Sequence, residues 1–519
     1  MSGYFGSLRR LLHIARVLAM HDMLVPAEYA HRVPASLRMV QRVLRMGRKK
    51  NATLPPGERL AQALERLGPT AIKLGQLLAT RPDLVGPDIA RGLESLQDRL
   101  PPFPDDIARA VIETELGRPL ASLFSTFGPA TAAASIAQVH RAMTNDDPRQ
   151  EVAVKVLRPG VAAEFARDFE AYRLAAQIAE RFSREAQRLR LMAVVDTFAQ
   201  SVALELDLRM EGAAAGELAD NMADEPDFRV PVVDWSRTAH GVLTLSWMDG
   251  VPLRDPEILR AAGHDPSRIA IMLIRTFLTQ ALRDGFFHAD LHPGNLFVDE
   301  QGRICAVDFG IMGRLDLEMR RFMAETLNGF LNRDYVRVAE VHFDVGFVPR
   351  THSVHTFAQA LRAIGEPVFG RRARDVSMGR LLEQLFETTR LFDMPLQPQL
   401  VLLQKTMMVV EGVARTLDPE FDIWEASRPV AESWMSEYLG PVGKMREAAK
   451  EFTRLAQSLP RFIRDAELLT ATLARDGIRL HPDSQEAIAR AQLRRTRHVR
   501  VAIWISALAL AMVAAGLWL

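Results

Sequence analysis

The stretch His288-Ala289-Asp290-Leu291-His292-Pro293-Gly294-Asn295, followed at short range by Asp308-Phe309-Gly310, constrains this chain more than any other feature. Between Asn295 and Asp308 lie two apolar runs, Leu296-Phe297-Val298 and Ile304–Val307, separated by Asp299-Glu300-Gln301-Gly302. Runs of that kind around a glycine-containing turn predict a hairpin. The hairpin returns Asp308 to the side of Asn295, so an amide oxygen and a carboxylate meet at one point. Mg2+ takes few protein oxygens and completes its shell with water and phosphate oxygens, which suits this pair. Asp290 is placed to reach an attacking hydroxyl or water. Loop caps and turn residues assembled by chance would not keep this order and spacing.

Upstream, Val152-Ala153-Val154-Lys155 ends an apolar run. An amine there can pair with nucleotide phosphates if a carboxylate from a following helix holds it. The motif alone is weak, but the chain has only seven lysines against 58 arginines, so each interior-looking lysine carries weight. Lysine and arginine are not interchangeable at such a site. The helix with Glu205, Asp207 and Glu211 offers the carboxylate. Glu211 is the choice; a solvated acidic face is the plain alternative.

The 519 residues exceed what one core accommodates, so two domains with tails are expected. Helical patterns occupy 57–100: Gly68-Pro69 ends one helix and starts the next, and Pro87 with Asp88 opens a third. Pro101-Pro102-Phe103-Pro104 predicts a rigid linker. Then Leu123–Phe127, Gly128-Pro129, Ile136–Ala142, an Asn145-Asp146-Asp147-Pro148 turn and Glu151–Leu157 read as strand, loop, strand, turn, strand. Residues 161–220 read as helix, Val230–Val233 and Gly241–Trp247 as two more strands, and the chain from about 256 as mostly helix apart from the 296–309 hairpin. A small five-stranded lobe before a larger helical lobe is the order of the α+β, protein-kinase-like, two-lobed fold.

Two parts of an ordinary protein kinase are missing. No G-x-G-x-x-G precedes Lys155; Ala132-Ala133-Ala134-Ser135 stands in its place, and Cβ atoms discourage positive φ and close approach to phosphates. After Gly310 only a few residues precede a helix read as Asp316–Leu331, with no Ala-Pro-Glu, so a docking platform for a peptide substrate is hard to build.

The ends read differently from the middle. Residues 1–50 carry ten Arg/Lys against Asp22 and Glu28, with Leu8, Leu11, Leu12 and Leu18 at helical spacing, as a membrane-surface helix, a docking arm or a helix packed on the protein's own domain would. Charges break the apolar run and no small-residue cleavage site follows, so no signal peptide is expected. Residues 501–519, VAIWISALALAMVAAGLWL, carry no charge. At about 1.5 Å per residue they span roughly 28 Å, enough for a bilayer core. Arg494, Arg495, Arg497 and Arg500 precede them, which keeps everything upstream cytoplasmic. The expected divisions are a basic amphipathic membrane-proximal segment (1–50), a helical extension (51–105), an N-lobe (106–247), a C-lobe (248–480), a basic linker (481–500) and a C-terminal transmembrane helix (501–519). A net charge of +1 excludes the global positive field of a nucleic-acid binder, and a single cysteine, Cys305, excludes a disulfide framework or cysteine-ligated metal centre.

On these residues the chain resembles the UbiB family of atypical kinases, also called the ADCK family, linked to ubiquinone (coenzyme Q) biosynthesis. The resemblance covers roughly 60–420. It rests also on Lys73-Leu74-Gly75-Gln76, which fits the family's Lys-x-Gly-Gln signature, on Glu205 and Asp207 as its Glu-x-Asp, and on Lys405-Thr406 and Glu411-Gly412 through Leu417-Asp418-Pro419. It implies that Lys155 contacts nucleotide phosphates and pairs with Glu211, that Asn295 and Asp308 hold Mg2+, and that Asp290 is the catalytic aspartate. It implies that Ala132, Ala133, Ala134 and Ser135 cover an ATP or ADP. The helix with Lys73 and Gln76 would lie over the active site, with Lys73 near Glu205, and block peptide entry. The implied activity is ATP hydrolysis or phosphoryl transfer at the inner membrane, on or near polyprenylated ubiquinone precursors, with membrane lipid and ubiquinone-biosynthesis enzymes as partners and no nucleic acid. Two other readings stand beside it. One is a nucleotide-gated, non-enzymatic scaffold for those enzymes. The other is a small-molecule kinase of the aminoglycoside phosphotransferase type, which shares a similar His-x-Asp-x-His-Pro-x-Asn block.

Overall fold

Antiparallel strands β1 (Phe124–Ala133), β2 (Ala137–Thr144) and β3 (Glu151–Leu157) form a sheet completed, past a short β4 (Phe228–Arg229) that belongs elsewhere, by β5 (Val242–Ser246), in the order β1-β2-β3-β5. The computed structural model describes residues 2–23, 54–79, 85–93, 96, 101–182, 190–369, 384, 388–389, 391–395 and 397–439, all within the unit Met1–Leu439. The expected basic linker at 481–500, the apolar segment 501–519 and the end of the C-lobe range lie outside the described residues. Among the described residues no helix is long and apolar enough to cross a membrane.

Strict alternation along β3 decides the sheet's two faces. Val152, Val154 and Val156 join Val242 of β5 in a core with Ile112, Leu120 and Leu123. Burying each of these valines is worth about 1.5–3 kcal/mol. The opposite face carries Leu157, Leu243 and Leu245, which pack on Phe165, Phe198 and Leu208. Lys155 pairs in register with Val139 and Leu243, so it shares this second face.

The helices before and after the sheet cover those faces. They are α1 (Ser2–Met20), α2 (Pro56–Leu67), α3 (Pro69–Ala79), α4 (Pro87–Leu93), α5 (Asp105–Leu116) and α6 (Leu120–Leu123), then α7 (Val161–Phe182), α8 (Leu191–Glu205) and α9 (Leu208–Asn221). The α2–α3 break follows the sequence signal: Gly68 takes φ +102°, and Pro69 opens α3. The 101–104 segment is docked on the sheet. Phe103 N–H donates to Gln138 Oε1 at 2.8 Å, and Arg158 Nη2 donates to Pro101 O at 2.8 Å.

The larger lobe holds β6 (Val251–Pro252), β7 (Phe286–His288), β8 (Leu296–Val298), β9 (Ile304–Ala306) and β10 (Met312–Arg314). Its helices are α10 (Pro256–Ala261), α11 (Pro266–Leu278), α12 (Leu317–Leu331), α13 (Tyr335–Asp344), α14 (Val354–Phe369), α15 (Pro398–Leu417) and α16 (Ile423–Leu439). Phe277, Phe287, Leu296, Phe309 and Val410 share its main core. The predicted hairpin is β8–β9, with Leu296 opposite Ala306 and Gly302 at φ +79° in the turn.

The structure departs from the sequence expectations at several points. The small lobe's sheet has four strands, because Val230–Val233 forms no strand: only Val233 bridges Leu245, and Pro231 has no N–H to donate to a ladder. Phe228–Arg229 just before it pairs in parallel with Ile304–Cys305 in the other lobe. Ala132 and Ala133 are the last residues of β1, opposite Val139 and Gln138; register shifts around Phe127–Ala130 absorb Gly128-Pro129, so the strand continues past them. A pairing missed from sequence is β7 with β10, which occupies the short stretch after Gly310. The helix α1 docks on the protein through one face and leaves Phe5, Leu8 and Leu12 exposed on another. Val17 packs into the α2–α4 cluster, Arg10 grips Asp168 at 2.6 and 2.8 Å, and Arg10 Nη2 donates to Leu67 O at 2.8 Å. Residues 24–50 of that segment lie outside the described residues.

Candidate nucleotide and metal site

Lys155 reaches off the inner face of β3 to two carboxylates. Its Nζ donates to Glu211 Oε1 and Oε2 at 2.8 and 2.9 Å and to Asp308 Oδ1 at 3.1 Å. Glu211 sits in the first turn of α9, which starts there because the Asp207 carboxylate caps it by accepting from Arg209 N–H. Glu211 Oε1 also accepts from Phe309 N–H at 3.3 Å, which ties α9 to the residue after Asp308.

The electrostatics follow from that geometry. Burial works against the Lys155 ammonium, but Asp308 and Glu211 outweigh it and hold its pKa above the ordinary value. Lys155 in turn is the main cause that drives Asp308 well below the usual carboxylate range, and Lys73 and His288 add to the depression. Glu211 is raised, chiefly because it is buried, and Lys155 opposes that rise. One ammonium thus serves two carboxylates, and Asp308 is the one that stays firmly ionised.

Asp290 sits in the loop after β7. Its N–H donates to His288 Nδ1 at 3.1 Å, its carbonyl accepts from Asn295 Nδ2 at 3.1 Å, and its Oδ2 lies 3.4 Å from the same nitrogen. His288 is fully buried, and burial lowers its pKa, so it stays neutral and able to accept that N–H. Val307 N–H donates to Asn295 O at 2.9 Å, so the hairpin does bring the two ends together at the backbone. Asp308 then leaves β9 at φ +65°, a left-handed conformation uncommon for a non-glycine residue and found most at functional sites.

The donor set fits a hard dication. Asn295 spends its nitrogen on Asp290, which leaves the amide oxygen as its remaining polar atom, and the Asp308 side chain is about half exposed. An amide oxygen and one ionised carboxylate are what Mg2+ takes from a protein when phosphates supply the rest. Among the described residues no group of three or more His, Cys, Asp or Glu gathers as an all-protein metal cage.

The remaining candidates divide. Lys73 of α3 is buried and pairs with Glu205 Oε1 at the end of α8. Asp207 does not join that pair; it forks Arg209 at 2.9 and 2.7 Å. Gln76 is half-buried one turn after Lys73. Ala134 N–H donates to Ala137 O at 2.8 Å and closes a tight turn, while Ser135 is fully buried. Only the backbone around Ala134 is therefore left as a loop, with Ala132 and Ala133 held in the sheet. His292 caps its own turn by accepting Gly294 N–H at 2.8 Å.

Three contacts around the loop escaped sequence reasoning. Gln280, in a π-helical turn (Thr279–Asp284) after α11, accepts His288 N–H at 3.1 Å. Thr406 of α15 donates to Ala289 O at 3.0 Å. Arg314 of β10 forks Glu217 of α9 at 2.8 and 2.7 Å. The last two join residues 117 and 97 positions apart, so no local pattern announces them.

A strand lysine held by a helix carboxylate, facing an Asp-x4-Asn loop and an aspartate delivered by a hairpin, on a two-lobed α+β frame, defines the protein-kinase-like class. The ABC1 atypical kinase-like domain matches residues 95–342, and the UbiB helical domain matches 361–422. A protein described as probable protein kinase UbiB from Marinobacter nauticus is 41% identical over 423 residues, covering 80% of this chain and 77% of the relative. The solved structure of the Rv3197–erythromycin complex from Mycobacterium tuberculosis is similar at a TM-score of 0.50 and 25% identity, over 72% of this chain and 94% of that one. The chain belongs to the UbiB family of atypical kinases.

Proposed function

We propose that this protein is an ATP-dependent atypical kinase or ATPase that acts at the inner membrane, on or near a polyprenylated ubiquinone precursor. The observation that carries the proposal is the Lys155 ammonium held 2.8 Å from Glu211 and 3.1 Å from Asp308. That arrangement aims a fixed positive charge at the place where nucleotide phosphates would lie.

Asn295 and Asp308 would hold Mg2+, which when bound neutralises phosphate charge. The chain's own groups do the rest. Lys155 orients α/β-phosphates. Asp290, whose backbone is fixed on both sides, presents a carboxylate that accepts the proton of a hydroxyl or water. Arg314 and Glu217 brace β10 against α9. The stretch between Gly310 and α12 is taken up by β10 pairing with β7, which supports an acceptor smaller than a peptide. The Lys73–Glu205 pair, which fastens α3 to the end of α8, supports the same restriction. The uncharged segment 501–519 and the arginines before it support a membrane setting with the catalytic lobes on the cytoplasmic side, and the likeness to the UbiB protein of Marinobacter supports the link to ubiquinone.

The test pairs chemistry with cells. Purified Asp308→Asn protein should lose Mg2+-dependent ATP turnover, and cells carrying only that variant should accumulate ubiquinone precursors. Turnover at the wild-type rate would overturn the site. Full rescue of quinone by Asp290→Ala would favour the scaffold reading over catalysis.

A further inference from the structure

The peptide unit joining Ala289 to Asp290 is gripped at both ends. Its N–H donates to His288 Nδ1 at 3.1 Å, and its carbonyl oxygen accepts from Thr406 Oγ1 at 3.0 Å. The first grip is local; the second comes from α15, 117 positions away. Ala289, His288 and Thr406 are all buried, so no water competes for these bonds. A peptide unit is planar, so fixing its oxygen and its N–H fixes the orientation of the whole plane. That plane fixes the N–Cα bond of Asp290, and with a hold on the following carbonyl it fixes φ and hence the direction of the Cα–Cβ bond. The next carbonyl, on Asp290, is held by Asn295.

The Thr406 hydroxyl has one proton and two carbonyls within reach, since Leu402 O lies 2.9 Å away. Leu402 O belongs to the interior of α15, where the helix ladder already supplies a backbone donor. Ala289 O lies outside that ladder, and the hydroxyl supplies it with a donor. The helix behind the hydroxyl is firmly placed, because Val410, Val413, Ala414 and Leu417 are buried in the main core of the larger lobe.

We infer that Thr406 is a positioning residue for Asp290, acting through the Ala289–Asp290 peptide plane to set where the Asp290 carboxylate points. The inference rests on the proposed role of Asp290. It gives α15, which lies in the stretch matched by the UbiB helical domain, a direct hold on the catalytic loop.

Two substitutions in the full chain separate the hydroxyl from the packing. Thr406→Val keeps shape and removes the proton; Thr406→Ser keeps the proton and removes a methyl. The valine variant should bind nucleotide as the parent does, because Lys155 and Glu211 are untouched, while kcat falls roughly ten- to a hundredfold with KM nearly unchanged. The serine variant should recover most of that loss. Crystal structures of both should show the Ala289–Asp290 plane rotated in the valine variant and restored in the serine variant. Equal kcat loss in both variants, or an unmoved plane in the valine variant, overturns the inference. If the parent protein binds ATP without turning it over, the proposed catalysis fails, and the two structures still decide what Thr406 does.

Discussion

Lys155 Nζ lies 3.1 Å from Asp308 Oδ1 while it also grips Glu211, so one side chain of the small lobe holds together a helix and a loop that belong to different parts of the chain. The contact joins residues 153 positions apart.

Replacing that lysine should cost both binding and stability. In Lys155→Met the buried Glu211 and the ionised Asp308 are left without their shared cation. Removing one partner of a buried pair costs on the order of 3 kcal/mol. Urea denaturation should show the loss, and titration with ATP and Mg2+ should show affinity falling at least about tenfold. Unchanged affinity would mean that phosphates bind elsewhere.

The Lys73–Glu205 pair should govern how firmly α3 is held. Glu205→Gln removes the charge that fixes Lys73, so amide hydrogen exchange should quicken along 69–79 and stay as before in β2 and β3. Because Lys73 also helps to depress Asp308, freeing it should let the Asp308 pKa drift upward, visible by carboxyl-carbon NMR. Equal exchange in both proteins would show that apolar packing alone retains the helix.

The extension depends on two helices that touch through their backbones. A methyl on Gly57 of α2 would stand 2.7 Å from Gly92 Cα and 2.8 Å from Asp88 O of α4. Neither neighbour is a side chain that can rotate away. Gly57→Ala should therefore push α4 off α2 and destabilise the extension by about 1–3 kcal/mol. Limited proteolysis should cut the variant sooner within 54–93, and equal cutting rates would show that the helices can separate freely.

Acid should weaken the fold through a histidine outside the site. Burial lowers the His342 pKa to about 4, and its Nδ1 lies 2.7 Å from Val338 O between the rings of Phe322 and Phe357. The unfolded chain protonates this group near the ordinary value of about 6.5. Below that pH the unfolded state binds a proton that the folded state refuses, so stability falls from about pH 6.5 down to about 4 and then levels. Burial shifts His140 and His288 in the same direction. The loss from His342 alone should reach on the order of 3 kcal/mol. Thermal melts from pH 7 to 4.5 should show the decline, and a shallower one in His342→Leu. Parallel curves would remove His342 as the cause.

Much of the site was legible because its parts are local. Asp290, Asn295 and Asp308 fall within one loop and one hairpin, so spacing alone predicts their approach, and β8–β9 pairs as the apolar runs require. The α12 start was equally plain, since Asp316 caps it by accepting Met319 N–H at 2.7 Å. Val230–Val233 misled because β-branched residues advertise a strand even where Pro231 breaks the ladder. What the basic α1 packs on was not legible, because an amphipathic pattern shows that a helix has an apolar face without showing what covers it.

The order of residues by itself determined the family, the alternation that points Lys155 inward, and the turn that returns Asp308, since each depends on neighbours a few positions apart. Tertiary structure decided which acid receives the lysine, that Arg10 ties α1 to Asp168, and that Thr406 holds the peptide beside Asp290. Those contacts join segments more than 50 positions apart, and only the packing of two cores places such segments within hydrogen-bonding distance.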